Sequence, residues 1–240
     1  MRYLFKETLI EGVIVERPNR FIMNVSVDGT VCRCFCPTTG RIGDMTFSNV
    51  PCLLSKANSP MRSTLYTVEA VSLDSLEESN KSWIGINQTA VNQYVGFFLK
   101  NNALPEMIST MGEDIKREVP IGSSRIDFLI GSNVLLEIKM PLIHCGLKEG
   151  EIAKSASPFT SFDRLIKHFI ELGKYAKDKR AILALVYLYN APNFSRPAPN
   201  AYNKEILRVA TSSVKKGVEQ WQLNFSIDPH SISLINYFHL

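Results

Sequence analysis

The chain has 240 residues, 45% of them hydrophobic and 21% charged, with a net charge of +4 and a pI near 8.7. That is the composition of an ordinary folded protein, basic enough to permit a polyanionic partner but not to demand one. The longest apolar run, Ala181 to Tyr189, is too short for a membrane span and reads as a buried strand. The start, MRYLFKETLIEG, carries acids and no continuous apolar run, so no signal peptide is read there. Five cysteines in a chain this long fit a reducing cytoplasm better than a disulfide framework.

The first part, residues 1–80, is β-rich. Strands are expected at Thr8–Glu16, Phe21–Val27, Thr30–Cys36, Val50–Ser55 and Tyr66–Leu73. Asp28-Gly29 signals a hairpin, and Pro37 to Gly40 and Asn58-Ser59-Pro60 signal turns. Five short strands point to a small OB-like barrel. From Met1 to Tyr66, eight Lys/Arg stand against five acids. Arg20, Arg41, Lys56 and Arg62 are candidate phosphate contacts, with Phe21, Phe35 and Tyr66 available for base stacking. Cys32, Cys34 and Cys36 share one strand face. Neighbours on that face lie about 7 Å apart along the chain, which suits packing better than a shared ion. The acidic, serine-rich stretch Ser72 to Ser82 links this part to the next.

The second part, residues 83–240, alternates periods. Gln88–Asn101 carries Val91, Val95, Phe98 and Leu99 at helical spacing, and Asp114–Val119 reads as a strand. A hairpin follows, then an irregular stretch from Pro141 to Pro158. Phe162–Tyr175 is an amphipathic helix bearing Arg164, Lys167 and His168, with Lys174, Lys177, Lys179 and Arg180 at its end and beyond. Ala181–Tyr189 is a strand, Ala201–Lys216 a helix and Gln220–Ile227 a last strand. The order α-β-β-β-α-β-α-β implies an α/β domain with a mixed sheet.

The hairpin, Ser124 to Met140, holds the strongest chemical signal. Gly131-Ser132-Asn133 suits a three-residue loop. Pairing Ile130 with Val134 sets Phe128 opposite Leu136, Ile126 opposite Ile138 and Asp127 opposite Glu137. One face then carries Ile126, Phe128, Ile130, Val134, Leu136, Ile138 and Met140; the other carries Arg125, Asp127, Leu129, Leu135, Glu137 and Lys139. Opposed carboxylates repel and call for a cation, whether Lys139, Arg125 or a divalent metal. Mg²⁺ or Mn²⁺ on Asp127 and Glu137, with the Ile138 carbonyl as a further ligand, could act on a scissile phosphate while Lys139 serves the attacking water. That is the layout of PD-(D/E)xK nucleases. The alternative is a solvated charged face in which Lys139 bridges the acids. His168 could assist or simply pack. His144-Cys145 has no third group to make it a nucleophile, and no glycine-rich loop supports a nucleotide cofactor.

Several pieces together resemble the sugar fermentation stimulation protein family. They are Arg20-Phe21, Cys36-Pro37-Thr38-Thr39-Gly40, Tyr66-Thr67, Trp83-Ile84-Gly85-Ile86-Asn87, Arg117-Glu118-Val119, Ser124 to Leu129, Glu137-Ile138-Lys139, Lys167-His168 and Gly217-Val218-Glu219. The resemblance implies an OB-like N-terminal domain, a restriction-endonuclease-like second domain, DNA binding without strong sequence preference and metal-dependent nuclease chemistry. The chain departs from the family pattern where Thr38 and Met140 stand in place of Asn, and where Leu165-Ile166 stands in place of Gly-Gln. No Glu lies near Gly96-Phe97 in the first helix; Glu113 and Glu118 are the substitutes on offer.

The expectation is a cytoplasmic, metal-dependent deoxyribonuclease that binds DNA, needs no membrane, and leaves homo-oligomerisation open. The alternatives are a non-enzymatic DNA-binding regulator of sugar-utilisation genes with a degenerate nuclease site, and a small-ligand or protein-interaction module.

Overall fold

The structure, a computed structural model, describes residues 1–57, 61–122, 124–142, 145 and 162–240. The turn at Asn58-Ser59-Pro60, most of the stretch from Pro141 to Pro158 and His144 lie outside the described residues.

The first part folds as a barrel. Strands β2 (Ile10–Asn19), β3 (Ile22–Val27) and β4 (Thr30–Phe35) form a meander, and β5 (Val50–Lys56) and β6 (Tyr66–Ser72) complete it. Asp28 and Gly29 both take positive φ, +48° and +78°, as the tight turn between twisted strands requires. Cys34 and Phe35 pair in parallel with Tyr66 and Thr67, which closes the five strands on themselves. Met23, Val25, Cys34, Cys52, Leu54 and Val68 fill the interior. A short strand, β7 (Trp83–Gly85), pairs antiparallel with β6. Gly85 N–H also donates to Leu188 O at 2.9 Å, joining the barrel to the second part.

The second part is a seven-stranded mixed sheet in the order β1-β13-β12-β11-β10-β9-β8. Its members are β1 (Arg2–Leu4), β8 (Ile115–Ile121), β9 (Ser124–Ile130), β10 (Val134–Lys139), β11 (Arg180–Tyr187), β12 (Glu219–Ile227) and β13 (Ser231–His239). Strands β10, β11 and β12 run parallel, with helices α2 (Asp163–Tyr175) and α3 (Lys204–Lys215) between them in sequence. These helices cover one face over Leu135, Phe169, Leu172, Leu183 and Val209. The other face packs Phe128, Leu136, Ile182, Val186 and Phe225 with helix α1 (Val91–Lys100) and runs without a break into the barrel core.

Three strands go beyond the expected elements. β1 and β7 have three residues each, too short for a period to show. β13 follows what sequence takes as the last strand. Its apolar residues break alternation, and its pairing with β12 shifts register at Asn224/Phe225.

Candidate functional site

The expected hairpin register is present. Ile130 pairs with Val134, Leu129 with Leu135 and Phe128 with Leu136, across a loop in which Gly131 takes φ +56°. The ladder recorded between these strands ends there. The expected opposition of Asp127 and Glu137 as ladder partners gives way to a different bond: Asp127 Oδ2 accepts from the Ile138 N–H at 2.7 Å. A side-chain carboxylate thus takes the place of a backbone carbonyl. The assignment of one apolar face changes at the same point. Ile126 packs under α2 and α3, whereas Phe128 packs in the core shared with the barrel. Strict alternation would put both on one side, so the strand turns over at Asp127. On β8, Arg117 pairs with Phe128 and Val119 with Ile126; the intervening Glu118 adopts φ +52° beside the same irregularity.

Asp127 is half-buried, and its second oxygen is taken too: Asn92 Nδ2, in the first turn of α1, donates to Oδ1 at 2.7 Å. Burial and then the Glu137 charge push the Asp127 carboxyl above its ordinary value, against the opposing pull of the Ile138 N–H, Lys139 and Asn92. Glu137 is deeper, with 1% of its side chain exposed. Burial disfavours its charge. The His168 hydrogen bond and the Lys139 ammonium outweigh that and hold the carboxyl below its usual range. Both partners use one oxygen: Lys139 Nζ lies 2.5 Å from Glu137 Oε1, and His168 Nδ1 meets the same atom. Among the described residues, Glu137 Oε2 is buried with no hydrogen-bond partner. A buried acceptor without a donor is rare and leaves that oxygen open to a cation or a water.

Sequence reasoning left His168 open and missed Asn92. The first-helix acid sought near Gly96-Phe97 would be crowded at Gly96, where a Cβ would stand 3.3 Å from the Phe128 ring. One turn earlier, Asn92 makes the contact instead. The substitutes do not join the site. Glu113 lies against the hairpin loop at Gly131, and Glu118 is exposed on β8. Among the described residues, no three His, Cys, Asp or Glu side chains group so as to hold a metal ion. Among the described residues, therefore, backbone or water oxygens would complete the shell of an ion on Asp127 and Glu137. Thr38, where the family pattern has Asn, is buried and donates to Ile86 O at 2.6 Å, tying its loop to the end of β7.

The basic candidates are all exposed, and most of them belong to the barrel part. Arg20 lies over the Phe21 ring at 4.8 Å, and Arg62 over Phe35 at 5.1 Å while donating to Thr64 and Thr67. Lys56 is 3.9 Å from Glu7. Arg41 pairs with Asp44 and lines a groove of about 500 Å³ with Arg17 and Phe47. Arg17, which sequence reasoning passed over, donates to the carbonyls of Arg20, Thr38 and Gly40. Lys167 stands on the outer side of α2, next to the buried His168.

Comparison with known proteins places these features in a family. Residues 15–86 match the family described as SfsA N-terminal OB domain, and residues 89–231 match the sugar fermentation stimulation protein RE domain. A sugar fermentation stimulation protein homolog of Synechocystis sp. is 27% identical over 237 residues, covering 97% of this chain and 95% of its own length. That of Gloeobacter violaceus is 29% identical over 231 residues, covering 93% and 92%. The structure of Pyrococcus furiosus SfsA in complex with Ca²⁺ has the same fold, with a TM-score of 0.76 at 24% identity over 99% of this chain and 98% of that one.

Proposed function

The chain belongs to the sugar fermentation stimulation protein family, and from that premise we propose that it is a DNA-binding, divalent-metal-dependent nuclease. One observation carries the reading. Asp127 and Glu137 lie close enough at the end of the hairpin for the Glu137 charge to push the Asp127 carboxyl up, and among the described residues Glu137 keeps one oxygen, Oε2, buried without a partner. That oxygen fits a hard cation, since Mg²⁺, Mn²⁺ and Ca²⁺ all prefer oxygen ligands. The Pyrococcus furiosus relative, whose structure is a complex with Ca²⁺, supports a divalent ion.

Asp127, Glu137 and the Ile138 carbonyl would hold Mg²⁺ or Mn²⁺. Bound there, the ion would lower the pKa of a water and neutralise phosphate charge. The chain's own groups do the rest. Asn92 and the Ile138 N–H fix the Asp127 carboxylate in place. Lys139 supplies a positive charge beside the acids, 25% exposed and so able to meet a phosphate oxygen or a water. His168 holds Glu137 from the α2 side. Arg20, Arg41, Lys56 and Arg62 on the barrel part, with Lys167 on α2, would follow the DNA backbone without reading bases. The reading places the protein in the cytoplasm; no helix among the described residues is long and apolar enough to cross a membrane.

A second reading has its own observation. Lys139 and His168 already occupy Glu137 Oε1, and Asn92 supplies an amide where a further acid would strengthen a metal site. A DNA-binding regulator of sugar-utilisation genes with an idle site would look the same. Calorimetric titration with Mn²⁺ and Ca²⁺ separates the two. The nuclease reading expects saturable binding of both ions that Glu137→Gln abolishes. No binding of either ion, with DNA still retained, leaves the regulator.

A further inference from the structure

Three amides from one short stretch fasten three separate elements. Asn87 Nδ2 donates to Glu69 Oε2 on β6 of the barrel at 2.7 Å. Gln88 Nε2 donates to Met140 O, just past β10, at 2.8 Å. Asn92 Nδ2 donates to Asp127 Oδ1 on β9 at 2.7 Å. Asn87 does a second job with its other atom. Its Oδ1 accepts from Thr89 N–H, Thr89 Oγ1 and Ala90 N–H at 3.1, 2.7 and 3.1 Å, and so caps the turn that starts α1. Glu69 is 6% exposed, and its other oxygen accepts from Ser55 Oγ at 2.5 Å. A buried carboxyl so surrounded by donors sets the position of the groups that bind it.

We infer that Glu69 is a positioning residue for Asp127, acting through Asn87 and the first turn of α1. The inference rests on the nuclease reading only for its consequence at the metal. The geometric link is a property of the metal-free chain. Glu69 holds Asn87, Asn87 caps the turn that leads into α1, and α1 carries Asn92 to the Asp127 carboxylate. The barrel thereby sets the angle at which Asp127 faces Glu137.

The test is amide and carboxamide NMR on the full metal-free chain. The reporters are the Asn92 side-chain NH₂ and the Ile138 N–H, both bonded to Asp127. Glu69→Ala and Asn87→Ser should each shift both reporters; the serine still caps the turn but cannot reach Glu69. Glu69→Gln should restore them, because its carbonyl can accept from Asn87 while its NH₂ faces Ser55. Val25→Ala, a cavity in the same barrel, should leave them in place. A Mn²⁺ titration then reads the consequence, an affinity about ten-fold weaker in Asn87→Ser. Unshifted reporters in Asn87→Ser, or equal shifts in Val25→Ala, overturn the link. If the wild-type chain binds no Mn²⁺, the nuclease reading falls and the reporters alone decide the link.

Discussion

Asn92 donates to Asp127 at 2.7 Å across 35 residues of sequence, and it is the side chain that brings the first helix to the acid pair. An amide there holds the carboxylate without adding charge. Asn92→Ala should cost about 1 kcal/mol of stability, because a half-buried carboxylate loses a donor. Asn92→Asp should be less stable still in chelator, since it sets a like charge against Asp127. The same variant should gain more from Ca²⁺ than the wild type does, as a third carboxylate strengthens an oxygen-ligand site. Thermal melts with chelator and with Ca²⁺ check both outcomes.

Glu69 gives a pH prediction. Burial raises its carboxyl above the ordinary value, against the opposing bonds from Ser55, Asn87 and Tyr94 and the charge of Arg62. A carboxyl raised on folding contributes stability that is fully present below its unfolded pKa and is lost as pH rises through the folded one. Glu69→Gln cannot ionise. It should therefore show a smaller fall in stability than the wild type as pH rises through the carboxylate range toward neutrality. Urea unfolding at stepped pH measures the difference, and parallel curves for the two proteins would contradict it.

Not every basic residue of the second part is available to DNA. Arg180 forms a two-pronged pair with Glu219, Nε to Oε1 at 2.6 Å and Nη2 to Oε2 at 2.8 Å, between neighbouring strands β11 and β12. The pair is partly exposed, so Arg180→Ala should cost no more than about 1 kcal/mol. DNA retention should not change. A weaker salt dependence of DNA binding in this variant would show that the guanidinium leaves Glu219 for phosphate.

The barrel arginines and lysine make the opposite prediction. Arg20→Ala and Lys56→Ala should each weaken DNA binding about equally on all sequences, and each should lower the slope of log affinity against log salt by roughly 1. Filter binding at four salt concentrations reads the slope. An unchanged slope in both variants would remove this surface from the DNA path.

What could be read in advance follows the range of the forces involved. The hairpin was legible because its register depends on one loop and two adjacent strands. The barrel strands were legible because Asp28-Gly29 and the stretch from Pro37 to Gly40 punctuate them. Asn92 was not legible: its role exists only because α1 crosses Phe128 at Gly96, a packing relation no local period reports. The turnover of β9 at Asp127 was hidden for a related reason. Alternation assumes a continuous ladder, and here a carboxylate replaces a carbonyl. His168 was visible as a residue but not as a partner of Glu137, since the helix carrying it docks from 31 residues away.

The proposed nuclease cuts DNA through the Asp127–Glu137–Lys139 constellation and a divalent ion. The direct measurement is incubation of end-labelled single- and double-stranded DNA with the protein in Mg²⁺, in Mn²⁺ and in chelator, alongside Asp127→Asn and Lys139→Ala. Cleavage is expected with at least one ion and none in chelator, with a loss of at least about 100-fold in rate in both variants, on the order expected when a charge-stabilising group is removed. DNA that is bound but left intact under every metal, or cleavage that persists in Asp127→Asn, would contradict it.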